Sequence, residues 1–579
     1  MLRRTTILFC VIAAGAVSVT AAQDRPPATS EMRDDVERYA TDRAALLRRY
    51  DVAYAPARQA RMATFYDEWR ARLRGLDFDA LGIEGKVDYV LLDHELAYQQ
   101  SLLTRDGEWF AEITPWLPFA PAIMDLTEAR RRMEVPDGRQ AAATLTALAA
   151  RVDSVRKAVT AAGGIGDARR DRIVGRRAAG LLGDLQRAFR GWHRFYAGYD
   201  PLFTWWTTEP FRQADSALGA YLGHLNRTVV GVRPGEADPI IGDPIGVAGL
   251  RADLVHEMIP YTVEELIAIA EQEFAWCEAE YRKAAREMGL GDDWRAALEQ
   301  VKRAYVPPGD QTRLVRDLAN EAIRFVETRD LVTVPPLAKE VWRMEMIPPE
   351  RQRVSPFFLG GEVFQVSYPT DEMTHEDKLM SMRGNNPHFS RAVAHHELIP
   401  GHHLQGFMTS RYQTHRRVFG TPFWGEGWAL YWEMLLWDLG FPATPEDRIG
   451  MLFWRSHRAA RIIFSLRFHA GTMTPQEAVD LLVNRVGHER ANAEGEVRRS
   501  LAGNYSPLYQ AAYMLGGLQF RALYRELVGS GRMTDRDFHD AILQGGRMPV
   551  EMVRARLTGT SPARDHRAGW RFAGDPGRP

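Results

Sequence analysis

The chain has 579 residues, more than one hydrophobic core usually organises, so we expect roughly two or three packed subregions. The composition is that of a soluble globular protein, with 45% hydrophobic and 26% charged residues. The 74 basic and 75 acidic residues nearly cancel, which argues against a nucleic-acid partner because such proteins carry a basic excess.

The first residues predict a secretory signal at 1–22. Basic residues precede an apolar run at 7–19, and small residues at 20–22 offer a cleavage site. The run is short for a membrane span, and polar residues follow it directly. We therefore expect a periplasmic or secreted protein with no stable membrane span after cleavage. A retained membrane anchor is the alternative.

Cysteine is scarce in this chain. Cys10 lies inside the apolar run rather than just after it, which makes it a poor lipidation site. Cleavage would leave only Cys277, so no intramolecular disulfide can form and the fold must depend on its core.

Helical patterns dominate the chain. The clearest begins with a capping box formed by Thr262 and Glu265, continues with apolar residues three or four apart, and stops near Gly289. Thr474 and Pro475 give a second start signal. The residue ranges that we predict to be mainly helical are 31–76, 138–163, 171–195 and 262–288.

Strand patterns are sparse. The best candidate is 361–368, where apolar and polar residues largely alternate after Gly360 and before Pro369. Residues 229–247 have a loop-like composition and are predicted to join two parts of a mainly α protein. We therefore expect an N-terminal helical region at 23–245, a second helical region at 246–559 and a loose tail at 560–579.

Four histidines lie within a stretch of nine residues: His395, His396, His402 and His403. Histidine is the commonest metal ligand, and zinc favours imidazole nitrogen and carboxylate oxygen. The familiar zinc motif, His-Glu-x-x-His, places two histidines one turn apart, and its Glu acts as a general base. Here His396 and Glu397 begin such a motif, but Pro400 stands where the second histidine would be.

A two-residue insertion, Pro400-Gly401, would restore the motif. Proline interrupts a helix and glycine tolerates unusual dihedral angles, so a bulge there could return His402 to the face of His396. A straight helix would instead align His403 with His396, but about 10 Å apart, too far for one ion. We predict His402 as the second ligand, with His403 and His395 as alternatives.

The third ligand is predicted to be Glu426. It lies in an aromatic segment 24 residues after His402, which is far enough for a second helix to return to the first. A carboxylate among aromatic residues is costly to bury unless it is paired or bound to a metal. Glu433, two turns further, is either a support for a ligand or the ligand itself.

The residues His-Glu-Leu-Ile-Pro-Gly-His-His-Leu-Gln at 396–405, followed by Gly-Glu-Gly-Trp-Ala-Leu-Tyr at 425–431, resemble the bacterial zincin-like family catalogued as domain of unknown function 885. A wider likeness is to helical gluzincin peptidases. This resemblance implies a deep cleft and a small β-sheet beside the metal site. It also implies Tyr505 and Tyr513 as hydrogen-bond donors in catalysis.

Together these observations predict an enzyme, a zinc peptidase with one Zn²⁺ per chain that acts on peptide substrates. Glu397 would take a proton from water at the metal, and strand 361–368 could align an extended peptide. The alternatives are a zinc amidase, a cell-wall carboxypeptidase or a catalytically silent zinc- or peptide-binding protein. Manganese, iron or cobalt could replace zinc. The sequence does not determine the substrate, endo or exo cleavage, or the oligomeric state.

Overall fold

The computed structural model describes residues 29–162, 168–235, 238–352, 357–502 and 505–573. Within these residues the chain forms 23 α-helices and one two-stranded sheet, which confirms the predicted mainly α fold. The predicted signal at 1–22 lies outside the described residues.

The helices and strands follow in chain order. The first part comprises α1 (Arg33–Arg49), α2 (Pro56–Arg74), α3 (Ile83–Ile113), α4 (Ala120–Arg131), α5 (Gly138–Ala162), α6 (Ala168–Tyr196), α7 (Pro201–His224) and a π-helical turn (Leu225–Val230). The middle part comprises α8 (Gly246–His256), α9 (Val263–Glu287), α10 (Trp294–Lys302), α11 (Gln311–Thr328), α12 (Pro336–Val341), β1 (Arg343–Met346), α13 (Pro349–Gln352) and β2 (Val363–Val366).

The last part carries the histidine cluster. It comprises α14 (His375–Gly384), α15 (Pro387–Glu397), α16 (His402–Thr409), a 3₁₀ turn (Thr414–Phe419), α17 (Pro422–Asp438), α18 (Pro445–His469), α19 (Pro475–Leu481) with a π-helical turn (Leu482–Val486), α20 (Arg490–Ala502), α21 (Tyr509–Leu527), α22 (Asp535–Gln544) and α23 (Val550–Thr558).

Two predicted helix starts are confirmed. The Thr262 hydroxyl accepts the N–H of Glu265 at 3.2 Å, and the Glu265 carboxylate accepts the N–H of Thr262 at 2.7 Å. Thr474 begins α19 with the same reciprocal arrangement. Such boxes satisfy N–H groups that have no partner inside the helix.

The sheet is small and parallel. Residues of β1 and β2 pair from Arg343 opposite Val363 to Met346 opposite Val366. The predicted strand 361–368 is therefore present but shorter. Strand β1 was not predicted because its four residues, Arg-Met-Glu-Met, are largely exposed and contain no β-branched side chain.

The buried apolar residues form two cores. The smaller one joins α4, α5, α6 and α7, and includes Trp192 and Tyr221. The larger one contains residues of α1, α2 and much of α3, together with the helices from α8 to α23 other than α13 and α14. The first three helices thus share a core with the predicted catalytic region at 246–559, although they belong to the predicted N-terminal region at 23–245.

The described part of the predicted loose tail is packed against the larger core. Phe572 is buried, and its ring centroid lies 5.0 Å from that of Tyr261. The N–H of Ala573 also donates to the Tyr261 hydroxyl at 3.0 Å. A polar composition rich in Gly and Pro suggested a loose segment, but these contacts and the ion pair of Arg571 with Glu265 hold the tail to the body up to residue 573.

Among the described residues, every helix is too short or too polar to cross a lipid bilayer.

Candidate metal centre

The helix that carries His396 is interrupted around Pro400-Gly401, where the sequence predicts a bulge. Helix α15 ends at Glu397 and α16 begins at His402. The N–H of Gly401 donates back to the His395 carbonyl at 3.0 Å, so the intervening residues fold tightly against the end of α15. A Cβ atom at Gly401 would lie only 1.8 Å from the carbonyl oxygen of His396, so a side chain cannot be accommodated there.

This bend brings the three predicted ligands together. The ligand atoms of His396, His402 and Glu426 all lie within 4.8 Å of one another. Oε2 of Glu426 is 2.9 Å from Nε2 of His402 and 3.6 Å from Nε2 of His396. Ligands of a tetrahedral zinc ion lie about 3.3 Å apart when the bonds are about 2.0–2.1 Å long. The donor types and their spacing therefore fit a zinc ion.

The centre opens to the surface on one side. The side chain of His402 keeps 21% of its area exposed, whereas that of His396 keeps 2%. Glu426 is also buried, on the first turns of α17, a helix capped by the Thr421 hydroxyl. A ligand or substrate would therefore reach the cluster from the side of His402.

Glu433 supports His396 and lies outside the three converging ligands. The Nδ1–H of His396 donates to Oε1 of Glu433 at 2.7 Å, and Nη2 of Arg458 lies 3.5 Å from the same oxygen. Burial acts to raise the pKa of Glu433, but the Arg458 charge and the His396 hydrogen bond lower it overall. Of the two roles left open for Glu433, this geometry matches the supporting one.

Electrostatic coupling between His402 and Glu426 is strong. Burial alone would lower the pKa of His402, but the Glu426 carboxylate outweighs it and raises that pKa to about 9. Burial would raise the pKa of Glu426, yet the charge of His402 holds it well below its usual range. A proton on His402 thus balances the buried carboxylate, a role that a bound cation can take over.

The two alternative second ligands, His403 and His395, point away from the cluster. Nε2 of His403 donates to the carbonyl of Ala338 at 2.7 Å. His395 is fully buried with its ring against Phe441, and burial lowers its pKa to about 3. Neither belongs to the group of converging ligand atoms.

Three tyrosines line one side of the centre. The ring of Tyr513 lies parallel to that of His396, with centroids 6.0 Å apart. The ring of Tyr505 is tilted against that of Tyr509, with centroids 4.4 Å apart, and lies beneath the Arg499 guanidinium. Burial and the nearby Glu426 carboxylate raise the pKa of Tyr513.

Tyr509 was missed from the sequence, although its hydroxyl donates directly to Oε1 of Glu426. The four-residue spacing of Tyr505, Tyr509 and Tyr513 was the available signal, since residues four apart share a helix face. That signal was incomplete because α21 begins only at Tyr509.

Glu397 lies beneath the loop that leads into β2. The N–H of Gly361 donates to the Glu397 carbonyl at 3.2 Å, and a Cβ atom at Gly360 would lie 2.2 Å from Cβ of Glu397. The two glycines thus allow the loop to approach Glu397 closely. The outer edge of β2 is already paired at Gln365 with Leu359, so an incoming peptide cannot pair at that point, contrary to expectation.

Comparisons with known proteins agree with this fold. A solved structure from Shewanella oneidensis, described as a candidate lipoprotein of unknown function, superposes with a TM-score of 0.67 at 19% identity, covering 91% of this chain and 99% of that one. A candidate lipoprotein from Colwellia psychrerythraea gives a TM-score of 0.57 at 16% identity, covering 91% and 97%. At these identities the likeness concerns the fold alone.

No curated protein matches the sequence. The sequence pattern of one family, bacterial proteins of unknown function, matches residues 42–557 and so covers most of the chain. The chain therefore belongs to this family, DUF885.

Proposed function

We propose that this protein is an exported zinc-dependent peptidase that hydrolyses peptide bonds of peptides or oligopeptides. The observation that carries the proposal is the convergence of His396, His402 and Glu426 beside Glu397. Two imidazole nitrogens and one carboxylate are a typical catalytic zinc set, which leaves a position for water and substrate. Export is supported by the apolar run at 7–19 and by the two similar structures described as candidate lipoproteins.

A zinc ion held by these three residues would supply Lewis-acid chemistry, polarising a peptide carbonyl and acidifying a water molecule. Glu397 is the proton acceptor in this proposal. It follows His396 directly at the end of α15 and lies beside the glycine loop, and its charge helps to raise the pKa of His402. A carboxylate so placed can take a proton from water and return it to the leaving amine.

The tyrosines provide neutral hydrogen-bond donors next to the metal ligands. A tyrosine hydroxyl keeps its proton at neutral pH, so it can donate to the oxyanion that develops on the peptide carbonyl. Tyr513, beside the His396 ring, is the preferred donor. Tyr509 already donates to Glu426 and therefore holds that carboxylate in place. Tyr505 is one ring further from the ligands.

Glu433 and Arg458 lie on the side of His396 that faces away from the other two ligands, and they orient its ring. The hydrogen bond from Nδ1 of His396 to Glu433 directs Nε2 of the same ring toward Glu426. Such carboxylate–histidine pairs fix the tautomer and the orientation of a metal-binding imidazole. In this proposal the residues around the cluster supply ligands, a base, donors and a support, which is the set that metal-assisted hydrolysis needs.

The proposal is tested by Glu397→Gln in purified protein. Zinc content is measured by elemental mass spectrometry, and turnover is measured on a peptide mixture by mass spectrometry of the products. We expect zinc to be retained and turnover to fall by about a hundredfold or more. The control is Glu209→Gln, an exposed carboxylate on α7, which should change neither quantity.

Full turnover in Glu397→Gln would overturn the mechanism. Zinc binding without any peptide hydrolysis by the unmodified protein would instead favour a silent zinc-binding protein. Hydrolysis of amides or cell-wall peptides, but not of ordinary peptides, would favour the amidase or carboxypeptidase alternative.

A further inference from the structure

Large apolar side chains are exposed together at one end of the smaller core. Tyr199 is 85% exposed and Trp205 is 80% exposed, although both residue types are usually half-buried or more. We call this surface the aromatic tip. It comprises Met133, Val135, Phe195, Tyr199, Leu202, Trp205 and Trp206.

The tip is continuous because two chain connections meet there. One joins α4 to α5, and the other joins α6 to α7. The Tyr196 hydroxyl donates to the carbonyl of Glu134 at 3.0 Å, which ties the two connections together. A Cβ atom at Gly138 would lie 3.0 Å from the carbonyl oxygen of Leu202, so the start of α5 also contacts the start of α7.

Two arginines beside the tip lie against its aromatic rings. The Arg130 guanidinium lies 5.4 Å from the Phe195 ring centroid, and that of Arg139 lies 4.9 Å from the Trp206 centroid. Neither arginine forms an ion pair within the described residues.

The acidic side chains near the tip accept hydrogen bonds from neighbouring residues. Glu134 pairs with Arg132 at 2.6 Å, and the Asp200 carboxylate accepts the N–H of Phe203 at the start of α7. Asp137 likewise accepts the N–H of Gln140 at the start of α5. The rim of the apolar surface therefore carries two arginines without ion pairs, together with two aspartates that cap helix starts.

We propose that the aromatic tip binds the surface of a lipid bilayer that contains anionic phospholipids. Tryptophan and tyrosine favour the boundary between headgroups and acyl chains, where the ring is apolar and its polar group stays hydrated. Arg130 and Arg139 would meet the phosphates, since an arginine side chain can lie along apolar surface with its charge in the headgroup layer.

The shape of the tip favours a bilayer over a protein partner. A stable protein interface takes roughly 20–30 residues from each side. The aromatic tip consists of seven residues, three on the two adjacent connections and four at the end of α6 and the start of α7. Such a small projecting surface suits insertion to a depth of about 5–10 Å at a membrane interface. This binding would keep the protein at a membrane without a spanning helix.

The test uses the chain from Gln23 onward, so that the apolar run at 7–19 does not itself bind lipid. Flotation is measured with vesicles of phosphatidylcholine alone and of phosphatidylcholine with phosphatidylglycerol. We expect binding to the anionic vesicles that weakens with salt. The double variant Tyr199→Ser, Trp205→Ser should lose about tenfold or more in affinity. The variant Arg130→Gln, Arg139→Gln should lose a similar amount on anionic vesicles only.

The matched control is Val247→Ser, Leu337→Ser, which removes two exposed apolar residues elsewhere and should bind as the unmodified chain does. Circular dichroism checks that all variants remain folded. Absence of binding to either vesicle, or unchanged binding by the tip variant, would overturn the proposal. So would a dimer in sedimentation that the tip variant abolishes, because the tip would then be an interface between copies of this chain.

Discussion

The Nδ1 atom of His396 on α15 lies 2.7 Å from Oε1 of Glu433, a buried carboxylate on α17. This contact assigns the ring proton to Nδ1 and leaves the lone pair of Nε2 directed toward Glu426, 3.6 Å away. The orientation of one candidate ligand is therefore set by a residue that does not itself converge on the site.

Glu433→Gln should weaken zinc binding about 10- to 100-fold while leaving the three ligands intact. The amide can still accept the hydrogen bond, but it lacks the charge that strengthens the imidazole as a ligand. Zinc affinity is measured by competition with a chelator. Glu209→Gln, on the exposed surface of α7, serves as the control. Equal affinity in Glu433→Gln and the unmodified protein would show that the pair does not act on the metal.

The two candidate second ligands can be separated by metal content. Unmodified protein should contain about one zinc per chain, His402→Ala should lose it, and His403→Ala should keep it. The reason is that Nε2 of His403 is directed at the Ala338 carbonyl, whereas Nε2 of His402 faces Glu426. Zinc retained in His402→Ala and lost in His403→Ala would contradict the observed arrangement.

Much of the candidate site could be predicted because its residues are close in sequence. His396 and Glu397 carry a known spacing, and Pro400-Gly401 is a local signal for a break in the helix. The hydrogen bond between Tyr509 and Glu426 was not predictable, because the two residues are 83 positions apart and α21 must first pack against α17.

In the fold, too, features set by neighbouring residues could be predicted, whereas contacts between distant segments could not. Capping residues and apolar spacing located α9 and α19 from the sequence. The pairing of β1 with β2, and the core that α1 to α3 share with most helices after α7, depend on which surfaces meet in three dimensions. Nothing in the spacing of residues within α1 to α3 specifies that choice.

Gly401→Ala should disrupt the bend and with it the metal site. The added Cβ would lie 1.8 Å from the His396 carbonyl oxygen and 2.4 Å from its carbon, so the backbone itself must move. Gly406→Ala is the matched control, since its Cβ would meet no atom within 4 Å inside α16. That control should be stabilised by about 0.5–1 kcal/mol through helix propensity.

Both glycine variants are compared by thermal unfolding and by zinc content. We expect Gly401→Ala to unfold at a lower temperature and to bind zinc poorly. If Gly401→Ala retained the stability and zinc content of Gly406→Ala, the tight packing of the bend would not be needed for the site.

Tyr509→Phe should weaken zinc binding several-fold, because it removes the hydroxyl that donates to Oε1 of Glu426. Tyr505→Phe is the control on the neighbouring ring, which is tilted against Tyr509 and lies beneath Arg499. The readout is chelator competition, as for Glu433. A larger loss of affinity in Tyr505→Phe than in Tyr509→Phe would contradict the assigned contact.

Asp88 should stabilise the fold strongly at neutral pH. It lies on α3, fully buried, and accepts hydrogen bonds from Arg416 at 2.6 Å and His415 at 2.8 Å on the 3₁₀ turn before α17. Asp88→Asn would leave the buried Arg416 charge with less compensation, and breaking such a pair costs about 3–5 kcal/mol. Urea unfolding at neutral pH measures this loss, with Glu209→Gln as an exposed control that should change little.

Because Asp88 titrates, the difference in unfolding free energy between the unmodified protein and Asp88→Asn depends on pH. Burial acts to raise the pKa of Asp88, but the Arg416 charge and the His415 hydrogen bond lower it below the ordinary value. Its stabilisation is therefore complete above the unfolded pKa of about 3.9 and is lost as pH falls through the lower folded value. The gap in unfolding free energy between the unmodified protein and Asp88→Asn should stay constant from neutral pH to about pH 5 and shrink below about pH 4. A gap that is already closed near pH 5 would mean that the folded protein does not hold Asp88 ionised through Arg416.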